Sequence, residues 1–276
     1  MTSPRGFFGI HAEPTTLQRV VLGVLPFVIL VGSYLIVSHI RLAKNPNDKL
    51  TPSFSQMVEA VHIMAFTKDK RTGQYLMLSD TLASLQRIGI GLSLAAIVGL
   101  FIGINTGIRK GVEATFLPMI TFLSIIPPLS ILPILFILFG VDELGKVMLI
   151  FLGGLFVITR DIHHETRQIP KEQIVKAFTL GASPFQVLYR VLLPQIIPKL
   201  FVAVRLCLGA AWLFLIASEA IASTSGLGYR IFLVRRYLAM DIIIPYVLWI
   251  TVIGFAMDAL LRLFIRWRYP WYATAS

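Results

Sequence analysis

The sequence is poor in charge, in acids and in cysteine. Only 14% of its 276 residues are charged, and Lys and Arg outnumber Asp and Glu by 25 to 14. A single cysteine, Cys207, excludes an intrachain disulfide, and its place inside an apolar run points to packing. No Gly-x-x-x-x-Gly-Lys-Ser/Thr loop occurs; the nearest string, Gly103 to Lys110, has the wrong spacing, so any ATP is bound by another chain. Of the 5 histidines only His163 and His164 are adjacent. Their side chains diverge by about 100° on a helix, a poor metal site. No Ser/His/Asp or paired-carboxylate arrangement is present, which removes hydrolase and metalloenzyme readings. The net charge of +11 is scattered near apolar boundaries and forms no compact basic domain, which argues against nucleic-acid binding and for contact with anionic lipid headgroups.

What is abundant is apolar. With 56% hydrophobic residues and a mean hydropathy of +0.79, the chain is expected to be an integral membrane protein. Windows long enough to cross a bilayer, which takes about 20 helical residues, predict six spans. They are Val20 to Ile40, Thr81 to Thr106, Ala114 to Phe139, Lys146 to Thr159, Leu200 to Ala222 and Ile243 to Phe264, the fourth short enough to extend at either end. No segment has the alternation of a transmembrane barrel strand, so the expected fold is all-α and polytopic. The first window follows Arg5 and Arg19 but is too long for a signal sequence and lacks a small-x-small cleavage pattern, so it is expected to be a retained anchor. Arg160, Arg167, Lys171, Lys176, Arg190 and Lys199 place the loop between the fourth and fifth spans in the cytoplasm. The expected organisation is an N-terminal tail, anchor and external segment over 1–80, a five-helix core over 81–268, and a tail over 269–276. Arg266 to Tyr272 is an expected interfacial anchor of basic and aromatic residues.

That cytoplasmic loop holds the most informative block. Pro170 suits the first turn of a helix, and Ile174, Ala177, Phe178 and Gly181 follow at the spacing of one apolar face. Lys171, Glu172, Gln173, Lys176 and Thr179 fill the remainder, Gly181 permits a turn, and Pro184 discourages continuation. A short amphipathic helix near 170–183, held between two spans, is placed to be gripped by a soluble partner. A merely interfacial helix is the plainer alternative.

The block resembles the coupling signature of binding-protein-dependent ABC importer permeases, Glu-Ala-Ala-x-x-x-Gly followed by Ile-x-Leu-Pro. Ala177 matches the second alanine, Gly181 the glycine, and Val191, Leu193 and Pro194 the closing segment; Val175 stands where the glutamate is expected and Lys176 where the first alanine is. Ala83 to Arg87, Ile126-Pro-Pro-Leu129 with Leu132-Pro133, and Glu219 with Ser225 to Tyr229 are similar to the nitrate/sulfonate/taurine-type permeases. Asn45 to Lys49 and Arg235 to Asp241 resemble permeases associated with urea carboxylase, which implies a urea-like or guanidine-like solute. The resemblance implies a type I importer permease fold in a bacterial inner membrane. It also implies a cytoplasmic ATPase dimer carrying ATP and Mg, a second and identical permease chain, and a periplasmic or lipid-anchored substrate-binding protein. Lys171, Glu172, Val175, Lys176, Ala177, Phe178, Gly181, Ala182 and Pro194 would form the ATPase contact. No cofactor would sit on this chain.

Candidates for the translocation path come from polar or helix-breaking residues inside apolar windows. Pro127, Pro128 and Pro133 open or kink the third span, with Ser124 and Ser130 offering hydroxyls to a small polar solute or simply lying beside a structural bend. Glu219, among Ser218, Ser223, Thr224 and Ser225, is expected in an outer gate, on a cationic substrate, or paired with Arg230 or Arg87. Arg205 either snorkels to the inner interface or contacts an anion or gate. Gly91, Ala95, Gly99, Gly103 and Gly107 form a small-residue stripe for close helix packing, within one subunit or across a dimer. An ion-coupled secondary transporter would call for an internal repeat and midplane acids, neither of which is visible, and a membrane scaffold would leave the proline-rich span and Glu219 without a purpose.

Overall fold

A computed structural model describes residues 15–46, 48–70 and 73–273. Arg5, Asn47 and the outermost parts of both expected tails lie outside the described residues. Among the described residues twelve α-helices follow one another, and the only strand-like pairing is an isolated bridge between Lys68 and Tyr75. They are α1 (Thr16–Lys44), α2 (Phe54–Phe66), α3 (Leu76–Ile108), α4 (Lys110–Ile125), α5 (Leu132–Phe139), α6 (Glu143–Arg167), α7 (Lys171–Thr179), α8 (Pro184–Gln186), α9 (Leu193–Ile221), α10 (Leu227–Arg235), α11 (Met240–Arg268) and α12 (Pro270–Ala273). A 3-10 turn, Pro128–Ile131, precedes α5, and a π-helical segment, Val187–Leu192, joins α8 to α9.

By length and composition four of these rods are able to cross a membrane: α1, α3, the continuous run Pro184–Ile221, and α11. A fifth arises if Lys110–Ile125 and Pro128–Phe139 count as one, but these meet at 85°. Two expectations change. The third window is a broken pair rather than one bent helix, because Ile126 and Pro127 are extended and Pro127, Pro128 and Pro133 cannot donate backbone hydrogen bonds. The fourth window lies within α6, whose ends carry Glu143, Lys146, Arg160, Asp161 and Glu165; α6 is not among the four apolar rods but forms the centre of the core. The expected boundary between 80 and 81 falls inside α3.

The core is built on α3, α6 and α9. Every member of the small-residue stripe is buried on α3 except Gly107, and the stripe lies against α6 of the same chain. A Cβ added at Gly91 would come within 2.8 Å of Ile150, and one at Gly103 within 2.7 Å of Ile162 and 2.8 Å of the Thr159 carbonyl. Small residues thus let two backbones approach where lipid gives no hydrophobic drive for association. On a neighbouring face of α6, Gly153 receives the ring of Phe214 from α9. Ile88, Leu149, Ile150, Ile158, Ile162, Ile196 and Leu215 are fully enclosed at this three-helix seam.

The first helix is different. α1 starts from a capping box at Thr15 and Gln18, yet only Ser38 on it is buried. Its tether is at one end, where Tyr34 Oη donates to Pro52 O at 2.8 Å and Ser38 Oγ to Thr51 O at 3.0 Å. Arg41 closes the strap on Asp48 at 2.7 Å.

Candidate functional site

The amphipathic block forms as a nine-residue helix, α7, with Pro170 at its N-cap rather than in its first turn. Glu172 in the first turn and Lys176 in the last complement the helix dipole. Ile174, Ala177 and Ala182 rest against the core, whereas Lys171, Glu172, Val175, Lys176 and Phe178 face outward. The expected apolar face is therefore split: Phe178 is 46% exposed, beside Val175 at 62% and Leu180 at 79%. Gly181, at φ +81, ends the helix: its N–H donates to Phe178 O and the Ala182 N–H to Ala177 O, the two bonds of a Schellman motif. Ser183 then caps a new helix in a capping box with Gln186, with Pro184 in its first turn.

Pro194 explains the irregular stretch that follows. It has no N–H to give to Arg190 O and its ring crowds that carbonyl, so the chain before it loosens to i→i+5 bonding, and the Leu193 N–H reaches Leu188 O. Gln195 holds Gln173 at 3.1 Å, fixing α7 to the foot of α9.

At the α4–α5 break, Ser124 and Ser130 have already committed their protons. Ser124 Oγ donates to Thr121 O and Ser130 Oγ to Pro127 O, so each presents lone pairs rather than a free donor. Arg160 Nη1 donates to Ser124 Oγ at 3.1 Å. Pro127 is exposed and Pro128 half-buried.

The most highly connected polar group is at the other end of the core. Glu219 is fully buried and paired with Arg87 Nη1 at 2.6 Å, and it also accepts from Ser84 Oγ and the Gly228 N–H, both at 2.8 Å. Arg87 binds Glu143 through Nε and Nη2 in a bidentate fork, and turns Nη1 and Nη2 to the carbonyl and hydroxyl of Ser225. Arg230 pairs with Asp80, not Glu219, at 2.8 Å, and Asp80 also accepts from the Gly226 N–H and Tyr246 Oη. The Leu227 N–H donates to Ser84 Oγ at 2.9 Å. The 222–226 turn is thereby stapled onto α3, and Ser223 closes it by donating to Ser225 O. At φ +123 Gly226 has its missing Cβ directed at the Glu219 carboxylate, so neither backbone nor space admits a side chain.

Arg205 on α9 meets Asp258 on α11 at 2.8 Å, and Arg262 shares that carboxylate at 2.7 Å. Among the described residues no group of three His, Cys, Asp or Glu side chains is placed to hold a metal ion. The segments Asn45 to Lys49 and Arg235 to Asp241, distant in sequence, converge. Pro46, Asp48 and Lys49 face Tyr237, Ala239 and Asp241 across a cavity of about 520 Å³.

Comparison with known proteins decides the family. The profile of the family described as binding-protein-dependent transport system inner membrane component matches residues 95–268. The chain belongs to this family. It is 34% identical over 190 residues to the taurine transport system permease protein TauC of Escherichia coli (strain K12), covering 69% of each chain. It is 31% identical to the bicarbonate transport system permease protein CmpB of Synechococcus elongatus, covering 70% of this chain and 68% of the relative. Its fold is similar to a chain of the MetNI methionine ABC transporter in an inward facing conformation. The TM-score is 0.56 at 19% identity, covering 68% of this chain and 96% of that one. As a member of the family the protein is a permease subunit of an ABC importer and an inner membrane component.

Proposed function

We propose that α7 is the coupling element through which a cytoplasmic ATPase dimer moves this permease. Two copies of the chain would enclose the path, ATP and Mg would sit on the ATPases, and an external binding protein would deliver the solute. The observation that carries this reading is the split face of α7: Ile174 and Ala177 anchor the helix to the core while Val175, Phe178 and Leu180 face outward, free for a partner. An element so held transmits force instead of sliding, as a lever between a soluble dimer and a membrane dimer requires. Val175 and Phe178 make the contact apolar where the family signature places a glutamate. The outer staple of Arg87, Glu219 and Asp80, the α4–α5 break with Ser124, Pro127, Pro128 and Ser130, and Arg205 would border the path. The solute is a small polar nitrogen- or sulfur-containing compound; taurine transport by a relative and the resemblance in the converging segments around Lys49 and Asp241 both support that class.

The test is co-purification from gently solubilised native membranes. An ATPase is expected to follow the wild-type chain and to be lost from Phe178→Asp, a substitution at an exposed site that leaves the core intact. Absence of any ATPase with the wild type, or equal recovery with the variant, would overturn the assignment of α7. Uptake by the reconstituted complex with its binding protein, compared for taurine, bicarbonate, urea and guanidinium, tests the solute class.

A further inference from the structure

An apolar groove runs between α9 and α11 at the end where α9 begins, and among the described residues no helix fills it. One part, of about 660 Å³, is lined by Phe201, Leu260, Leu261, Leu263, Phe264 and Trp267. It shares Phe201, Leu260 and Leu261 with a second cleft of about 350 Å³ that reaches α3, where Ser93 is the single polar lining residue. Leu260 and Leu263 are 65% and 63% exposed, so the groove is open from the side. Along α11 its wall extends from Met257 to Trp267, about 15 Å at 1.5 Å per residue. That is half of a hydrocarbon core about 30 Å thick, the depth of one leaflet.

At the mouth the chemistry changes within one turn. Arg268 lies four residues beyond Phe264, a spacing that puts its guanidinium above the groove-lining face, and Arg266 lies three beyond Leu263, just outside the Leu263 edge of that face. Both are exposed, and neither forms an ion pair among the described residues, whereas Arg262 one turn earlier is taken by Asp258. The Arg268 guanidinium lies 5.6 Å from the ring centroid of Tyr269. Phe264 packs on Phe201 at 4.9 Å and neighbours Trp267 and Tyr269 at 6.5 and 6.4 Å, an aromatic collar of the kind found at a membrane interface.

We propose that this groove binds one anionic phospholipid, with an acyl chain against Phe201, Leu260 and Leu261 and its phosphate held by Arg266 and Arg268. A helix from another protein would match the slot but not the two unpaired cations at its mouth. A negatively charged headgroup on an apolar tail one leaflet long satisfies both.

Trp267 lines the groove and supplies the readout. The purified chain in nanodiscs of phosphatidylcholine receives equal small fractions of brominated phosphatidylglycerol or brominated phosphatidylcholine, and tryptophan quenching is compared. Phosphatidylglycerol is expected to quench several-fold more effectively in wild type. That preference should disappear in Trp267→Phe, where Trp212, Trp249 and Trp271 remain, and in Arg266→Gln/Arg268→Gln. Equal quenching in wild type, or a preference that survives the double Gln variant, would overturn the proposal. So would a disulfide-linked dimer of Leu263→Cys formed in native membranes, which would give the groove to a second copy; a monomeric Leu263→Cys that keeps the lipid preference supports it.

Discussion

Arg87 has five N–H donors and five hydrogen bonds, shared among Glu143, Glu219 and Ser225. Removing one member of a buried ion pair typically costs about 3–5 kcal/mol, because the other charge is stranded. The two partners here are unequal. Glu219→Ala leaves Arg87 with the exposed Glu143, so the loss is expected near the lower figure, about 3 kcal/mol. Arg87→Met leaves Glu219 with only Ser84 and the Gly228 N–H, so the loss is expected near the upper figure, about 5 kcal/mol. Denaturant unfolding in detergent should give that order, and the reverse order would contradict the account. Part of this cluster was legible in the sequence. Glu219 was visible as an acid in an apolar run, and Asp80, Ser84 and Arg87 stand at i, i+4 and i+7, a polar stripe on one face of an apolar helix. Glu143 and Tyr246 carried no such signal, since each reaches the cluster from a helix whose approach only the tertiary fold decides.

Among elements, the α3–α6 seam is the least forgiving. Gly103→Ala drives a methyl against Ile162 and the Thr159 backbone, where rotamer changes give no relief; a loss of about 3 kcal/mol is expected, at the upper end for overpacking. Gly209 on α9 has nothing within 4 Å of its missing Cβ, and Gly209→Ala should not destabilise. Similar thermal shifts for the two variants would refute the seam as described. The small-residue spacing foretold a close helix pair but not its partner, because period four fits a neighbour or a dimer equally. Likewise the prolines of 126–133 announced a bend, while its 85° angle depends on how α5 packs against α6.

The strap at the foot of α1 responds to acid. The Leu50 N–H and the Arg41 guanidinium hold the Asp48 carboxyl below the usual carboxylate range. A depressed folded-state value means that the strap's contribution is present above the unfolded pKa of about 3.9 and is lost as pH falls through the folded one. Spin labels at His39 and Gln56 are expected to show a distance distribution that broadens below about pH 4, and one already broad at neutral pH in Asp48→Asn. A distribution unchanged by either would exclude the strap as the tether of α1.

Across the whole molecule, α7 and the membrane rods form one continuous path through α8 and the Val187–Leu192 segment into α9, then through the 222–226 turn to α3. Movement imposed on α7 would therefore pass through the Gly181 turn and reach the Glu219 cluster along the Pro184–Ile221 rod. The sequence made the two ends of this path visible, through Gly181 with Pro194 at one and Glu219 at the other. It concealed the middle, because a π-helical turn has no residue code of its own and arises here from what Pro194 denies to the turn before it.

That turn also sets a phase. Geometrically it is an α-helix with one extra residue wound in, so deleting Leu188 together with Pro194→Ala would restore ordinary winding and swing everything upstream by about 100° around the rod's axis. The variant should still insert, since the apolar stretch Leu193–Ile221 of that rod is all but untouched, but it would turn Val175 and Phe178 to a different quarter. ATP hydrolysis uncoupled from transport is the expected phenotype. The angular setting between α7 and the Glu219 cluster would then reside in a single residue of helical slack.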